Sequence, residues 1–198
     1  MVAMSNLKRI LENKTHFDQR VISDAKSLDK IISRLKKDGH KIVLTQGVYD
    51  LIHEGHALYL ENARSHGDIL VVGVDSDELT KKRKGPNRPI VPQAERLKML
   101  VHLRHVDLVI LRNVEDDIGD LIRLVKPDVL VVSTSTGDFS DKQVKDYNDF
   151  CGQIITLPPQ AATSTSARIR LLAIDGAEKL AREINKLTKD FISNIRKS

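Results

Sequence analysis

The sequence predicts a doubly wound α/β domain, a five-stranded parallel sheet with helices on both faces. Short apolar runs at Ile42–Leu44, Asp68–Val74, Val106–Leu111, Asp128–Val132 and Gln153–Leu157 alternate with helical patterns. Runs that are apolar throughout, rather than at every second residue, belong to parallel strands covered on both sides. The 198 residues, 40% hydrophobic and 30% charged, suit one globular domain with one substantial core. Ligands of such a sheet are expected at the carboxyl ends of its strands.

Residues 1–26 are polar with scattered apolar positions and read as an extension without chemistry. Ser27 is the expected N-cap of a helix carrying Leu28, Ile31, Ile32 and Leu35 on one face, and Gly39 ends it. The expected divisions are a helical extension over 1–40, the sheet domain over 41–174 and a helix over 175–198. After the first strand the chain breaks at Gly47, passes His53-Glu54-Gly55-His56 and enters a helical pattern with Leu58, Leu60 and Ala63. Gly67 closes that pattern as a C-cap. Pro92–Arg104, Asp117–Val125 and Asp141–Phe150 read as further helices between the strands. In the last segment Leu180, Ile184, Leu187 and Phe191 fall on one helical stripe, which suits packing on the chain's own core or a dimer seam.

Composition narrows the function. No apolar run approaches membrane-spanning length, the N-terminus is not a secretory signal, and Cys151 stands alone, so a soluble cytoplasmic protein without a disulfide is expected. A net charge of +5 suits anionic ligands without demanding nucleic acid.

The chemistry concentrates around HEGH. A strand, a glycine-bearing turn and a helix in this order place His53 and His56 where a sheet edge meets a helix N-terminus. Backbone N–H groups and the helix dipole favour phosphate there. Gly55 lets the backbone come close to a ligand, and imidazoles in that place can donate hydrogen bonds to charge developing on a phosphoryl group. A pair of histidines alone would equally suit one capping side chain and one surface residue. Lys81-Lys82-Arg83-Lys84 with Arg88 is the densest positive cluster; Gly85, Pro86 and Pro89 give it loop character, on the sheet edge that also carries HEGH. Thr163-Ser164-Thr165-Ser166 precedes a helical start, where hydroxyls cap the helix or hold phosphate.

GVYDLIHEGHALYLENAR resembles the HxGH nucleotidyltransferase superfamily, which has a Rossmann-like fold. Lys84-Gly85-Pro86-Asn87-Arg88-Pro89 is similar to the KGxxRP loop of its heptose-phosphate adenylyltransferase and glycerol-phosphate cytidylyltransferase group. PQAERLKML resembles that group's next helix, and the TSTS run its late hydroxyl motif. The resemblance spans roughly Lys41 to Leu172. It implies transfer of AMP or CMP from ATP or CTP to a small phosphorylated metabolite, with Mg2+ as cofactor, pyrophosphate as product and a homodimer as assembly. No nucleic acid, membrane or protein-borne metal ligand is implied. His53, His56 and Lys84 would be catalytic. Gln46, Gly47, Val48, Tyr49, Asp50, Gly55, Arg88, Asp138, Ser164, Thr165, Ser166 and Arg168 would contact the nucleotide, with Asp50 equally suited to ordering the turn. Two departures stand out. Ser133-Thr134-Ser135-Thr136-Gly137-Asp138-Phe139 lacks the lysine usual after that strand, and Pro158–Ala162 lacks the arginine common in cytidylyltransferases. The second disfavours CTP, whereas the first leaves open a nucleotide-binding module without catalysis.

Overall fold

A computed structural model describes residues 16–134, 146–160 and 165–195, with the backbone alone given at Phe17, Thr165, Ser166, Arg168 and 189–195. The chain divides into two compact units, Met1–Ala161 and Ala162–Ser198.

Among the described residues of the first unit, six strands form one parallel sheet in the order β1-β4-β3-β2-β5-β6. They are β1 (Val21–Ile22), β2 (Ile42–Gly47), β3 (Ile69–Asp75), β4 (Leu108–Arg112), β5 (Val129–Ser133) and β6 (Gln153–Leu157). The sequence led to five strands. The sixth is β1, which adds to the sheet edge with Val21 opposite Val109 and Ile22 opposite Ile110. Two residues carry no periodicity, so only long-range pairing could reveal it.

Successive residues of the inner strands face opposite sides. Ile42, Leu44, Ile69 and Val71 join one core with Leu28, Ile31, Ile32 and Leu35 of α1 (Ala25–Lys37) and with Leu121, Ile122 and Val125 of α5 (Asp120–Val125). Val43, Leu70, Val72 and Val74 join the other with Leu60 and Ala63 of α2 (Glu54–Arg64) and Leu100 and Val101 of α4 (Gln93–His102). Both faces are covered, which is why these strands are apolar on both sides until their carboxyl ends, where Thr45, Gln46 and Asp75 bring in polar side chains.

Local chemistry shifts two expected boundaries. Asp24, not Ser27, caps α1: its carboxylate accepts the Ser27 N–H at 2.8 Å, and a charged acceptor suits the positive helix end better than a hydroxyl. The basic cluster Lys81–Lys84 is the last turn of a helix, α3 (Asp77–Lys84), rather than a loop. Ser76 caps α3 by accepting the Leu79 N–H at 3.1 Å. Asp77 and Glu78 in the first turn and the four cations in the last both match the helix dipole. Gly85, at φ 98, then takes a conformation that strains any side chain.

In the second unit, α6 (Thr165–Ile195) is one continuous helix through Asp175. The division expected at 174/175 therefore falls inside it, since Ala167–Asp175 contains no residue that breaks a helix. Leu180, Ile184 and Leu187 on α6 are exposed. Among the described residues no helix is long and apolar enough to cross a membrane.

Candidate active site

The chain winds from β2 through β3 and β4 on one side, then returns to place β5 and β6 on the other. The carboxyl end of β2 is therefore the topological switch point, where doubly wound sheets open a crevice for ligands. The turn Val48–Ile52 leaves β2 at that point and delivers the chain to α2.

This turn is held in a conformation its residues disfavour. Tyr49 (φ 54) and Leu51 (φ 48) are both left-handed, at a cost on the order of 1–3 kcal/mol each. Asp50 between them is 2% exposed, and its carboxylate accepts the Ile90 and Val91 N–H groups at 2.9 Å each. Arg88 Nη2 closes on the same carboxylate at 2.9 Å. From below, Arg96 Nη1 donates to the Val48 carbonyl at 2.6 Å and to the Asp75 carbonyl at 2.8 Å. The Tyr49 ring folds back over Gly47, where a Cβ would lie 3.2 Å from it, and stands 5.6 Å from the His56 ring.

The two histidines use the same atom for structure. His53 is the N-cap of α2 and its Nδ1 accepts the Gly55 N–H at 3.1 Å; His56 Nδ1 accepts the His53 N–H at 3.4 Å, a long bond. The ring centroids are 4.2 Å apart. An imidazole that accepts at Nδ1 carries its proton, when neutral, on Nε2. The helix cap thus leaves Nε2 as the donor of each neutral ring at one helix N-terminus.

Burial, then the neighbouring His53 and the Lys84 charge, lower the His56 pKa from the ordinary 6.5 to about 4, with Asp50 pulling the other way. His56 is therefore expected to titrate near pH 4, which its ring-proton NMR shifts would read directly. Between about 4 and 6.5 the unfolded chain binds this proton more readily than the folded one. Its contribution to stability is complete above 6.5 and is lost as pH falls toward 4; urea melts across that window check the sign.

Of the other residues expected at the site, Gln46 is next to last in β2, with Nε2 donating to the Ile118 carbonyl at 3.2 Å, and its Oε1 is buried without a hydrogen-bond partner. Val48 and Tyr49 are core side chains, so only their backbone lines the turn. Asp50, expected beside the nucleotide, is turned inward and orders the turn, with Arg88 upon it. Arg88 Nε is buried with no hydrogen-bond partner. Gly55 is buried in the first turn of α2. Lys84 is exposed at the end of α3, near enough for its charge to bear on His56. Asp138 and Ser164 lie outside the described residues, as does 141–145 of the expected helix. Thr165, Ser166 and Arg168 belong to the second unit, on the backbone of α6.

Sequence reasoning missed Arg96, the residue that organises the site from beneath. Besides Val48 and Asp75 it donates to the Val91 carbonyl at 2.9 Å and pairs with Asp77 at 2.7 Å. The available signal was its place on α4, one turn before Leu100 on the buried face. An arginine on an apolar stripe needs buried partners. Cys151 offers no nucleophile, since burial pushes its thiol up to about 11.

Two imidazoles and a helix N-terminus thus stand together at the switch point of a doubly wound sheet, a place that favours phosphate. The cytidylyltransferase-like family model matches residues 44–171, more than half of the chain. The chain belongs to that family and is a nucleotidyltransferase. It is 36% identical over 170 residues to the bifunctional protein HldE of Desulfatibacillum aliphaticivorans, covering 85% of this chain and 34% of that protein. To the bifunctional protein HldE of Helicobacter acinonychis it is 35% identical over 185 residues, 92% of this chain and 36% of that protein. The chain thus spans about a third of the length of these relatives. In structure it is similar to the lipopolysaccharide core biosynthesis protein from Thermoplasma volcanium, with 30% identity and a TM-score of 0.54 over 60% of this chain and 97% of that one.

Proposed function

We propose that the chain transfers the AMP moiety of ATP to the phosphate of a small phosphorylated sugar and releases pyrophosphate. The observation that carries this reading is the pair of imidazoles at the N-terminus of α2, both committed at Nδ1 and so both donors at Nε2. An oxygen of the acceptor phosphate attacks the α-phosphorus of ATP. A phosphoanhydride bond forms, and the bond to the β-bridging oxygen breaks with its electron pair leaving on pyrophosphate. The acceptor is already an anion near neutral pH, so no general base is required. The protein's work is positioning and charge neutralisation.

His53 and His56 donate to the phosphate oxygens on which charge grows, Lys84 adds a cation, and Arg88 Nε supplies a further N–H. The backbone of Gln46–Tyr49 offers a rigid edge for the nucleotide. Among the described residues no three of His, Cys, Asp or Glu gather into a metal cage, and Asp50 is occupied by Arg88. Mg2+ bound together with the triphosphate would supply further charge neutralisation there, beside Lys84 and Arg88. ATP is favoured over CTP by resemblance to the heptose-phosphate adenylyltransferases, by the HldE relatives and by the missing arginine before the hydroxyl motif. The exposed stripe of Leu180, Ile184 and Leu187 supports the homodimer that belongs to this reading.

The test is pyrophosphate release with magnesium. ATP, CTP, GTP and UTP are each supplied with a panel of sugar, polyol and amino-alcohol phosphates. Release with ATP alone, and only with a sugar phosphate present, is expected. Release with CTP and an alcohol phosphate would move the assignment to the cytidylyltransferases. Nucleotide binding without release from any pair would point to a non-catalytic module.

A further inference from the structure

We propose that Asp75, with Arg83 and Arg112, forms a buried positioning cluster that sets where Lys84 stands beside the two imidazoles. The proposal rests on the reading of Lys84 as a phosphate contact; Asp75 and Arg112 lie outside the motifs that carry that reading, and Arg83 is the basic-cluster residue that joins them to it.

Asp75 ends β3 with its side chain fully buried. One carboxylate oxygen takes Arg112 Nη1 at 2.9 Å, and the other takes Arg83 Nη1. Arg112 is the register partner of Asp75 at the end of β4. Its side chain runs back past Gly73, where a Cβ would stand 3.1 Å from Arg112 Cδ. The Asp75 carbonyl accepts from Arg96, which also holds the Val48 carbonyl. One residue therefore references three things to each other: the turn ahead of His53, the end of β4 and the last turn of α3.

A buried ionic cluster is a poor source of stability, since apolar replacements are often neutral or better. What it fixes is direction. Arg83 and Lys84 are consecutive in α3, about 100° apart around the helix axis. Tying Arg83 to Asp75 therefore sets the azimuth of Lys84. The loop that follows is anchored by Arg88 on Asp50, so the helix end is held on both sides of Lys84. The groups bearing on His56 are His53 beside it, Lys84 from α3 and Asp50 from the turn.

The test compares Arg83→Met, Arg83→Lys, Lys84→Met and the double variant Arg83→Met/Lys84→Met. In Arg83→Met the Asp75 carboxylate keeps Arg112, and circular dichroism is expected to show a folded chain. Turnover should fall between about tenfold and a hundredfold, the scale of a misplaced contact, with a smaller change in KM for ATP. The His56 midpoint should rise above about 4 as the Lys84 charge departs. Arg83→Lys should recover part of both. Adding Arg83→Met to Lys84→Met should cost little further, because the first acts through the second. Unchanged turnover and midpoint in Arg83→Met, or losses that multiply in the double variant, would overturn the proposal. The titration needs no substrate. A wild-type chain that releases no pyrophosphate would therefore defeat the transferase reading while leaving the positioning of Lys84 still measurable.

Discussion

Replacing His56 by alanine is expected to cut turnover by about two orders of magnitude or more, the scale of losing one donor to a transition-state oxyanion. His56 is neutral at pH 7, because burial and the nearby His53 and Lys84 hold its pKa near 4. It therefore acts as a hydrogen-bond donor, not as a cation. A donor that tightens on developing charge contributes to kcat more than to substrate binding, so KM should change far less than turnover. The fold should survive. The structural bond lost is the 3.4 Å contact to the His53 N–H, and a long cap bond is worth no more than about 1 kcal/mol. Steady-state pyrophosphate release beside thermal melts separates the two effects. A fully active variant would remove HEGH from the mechanism.

The second large effect is expected at Arg96, and there it falls on the fold. Arg96→Ala strips donors from the carbonyls of Val48, Asp75 and Val91 and leaves the Asp77 carboxylate without its guanidinium. Asp77 keeps a quarter of its side chain exposed, so the loss falls mainly on the carbonyls left without this donor, at about 1–3 kcal/mol each, a large share of the roughly 5–15 kcal/mol that holds a domain together. The left-handed turn at Tyr49 and Leu51 depends on this anchoring, so activity should fail along with stability. Arg96→Lys should rescue little, since one ammonium cannot reproduce a planar fork serving several acceptors. Urea denaturation reads the loss as a lower midpoint. A shift within about 0.5 kcal/mol, typical of surface changes, would refute the role.

Much of the site was legible because its signals are local. HEGH after an apolar strand places a helix N-cap, and cap geometry alone then turns both imidazoles at Nδ1. The continuous apolar runs revealed a parallel sheet because burial on both faces leaves no polar register. Asp50 was harder. A carboxylate in a turn reads equally as a ligand contact or as a backbone anchor, and the choice rests on Ile90 and Val91, forty residues away. The basic cluster misled for a similar reason. KKRKG followed by prolines reads as a loop, yet the Ser76 cap and the acidic first turn make Lys81–Lys84 the end of a helix.

From the sequence alone came the doubly wound parallel sheet, the strand–turn–helix after β2 and the two histidines at its helix N-terminus, since each follows from local composition and spacing. The tertiary structure decided the edge strand Val21–Ile22, the inward turn of Asp50, the anchoring of the turn by Arg96, and the pairing of Asp75 with Arg83 and Arg112. These depend on which strands lie side by side. Buried charges can persist only where distant segments bring them a partner, and no local pattern records that partner.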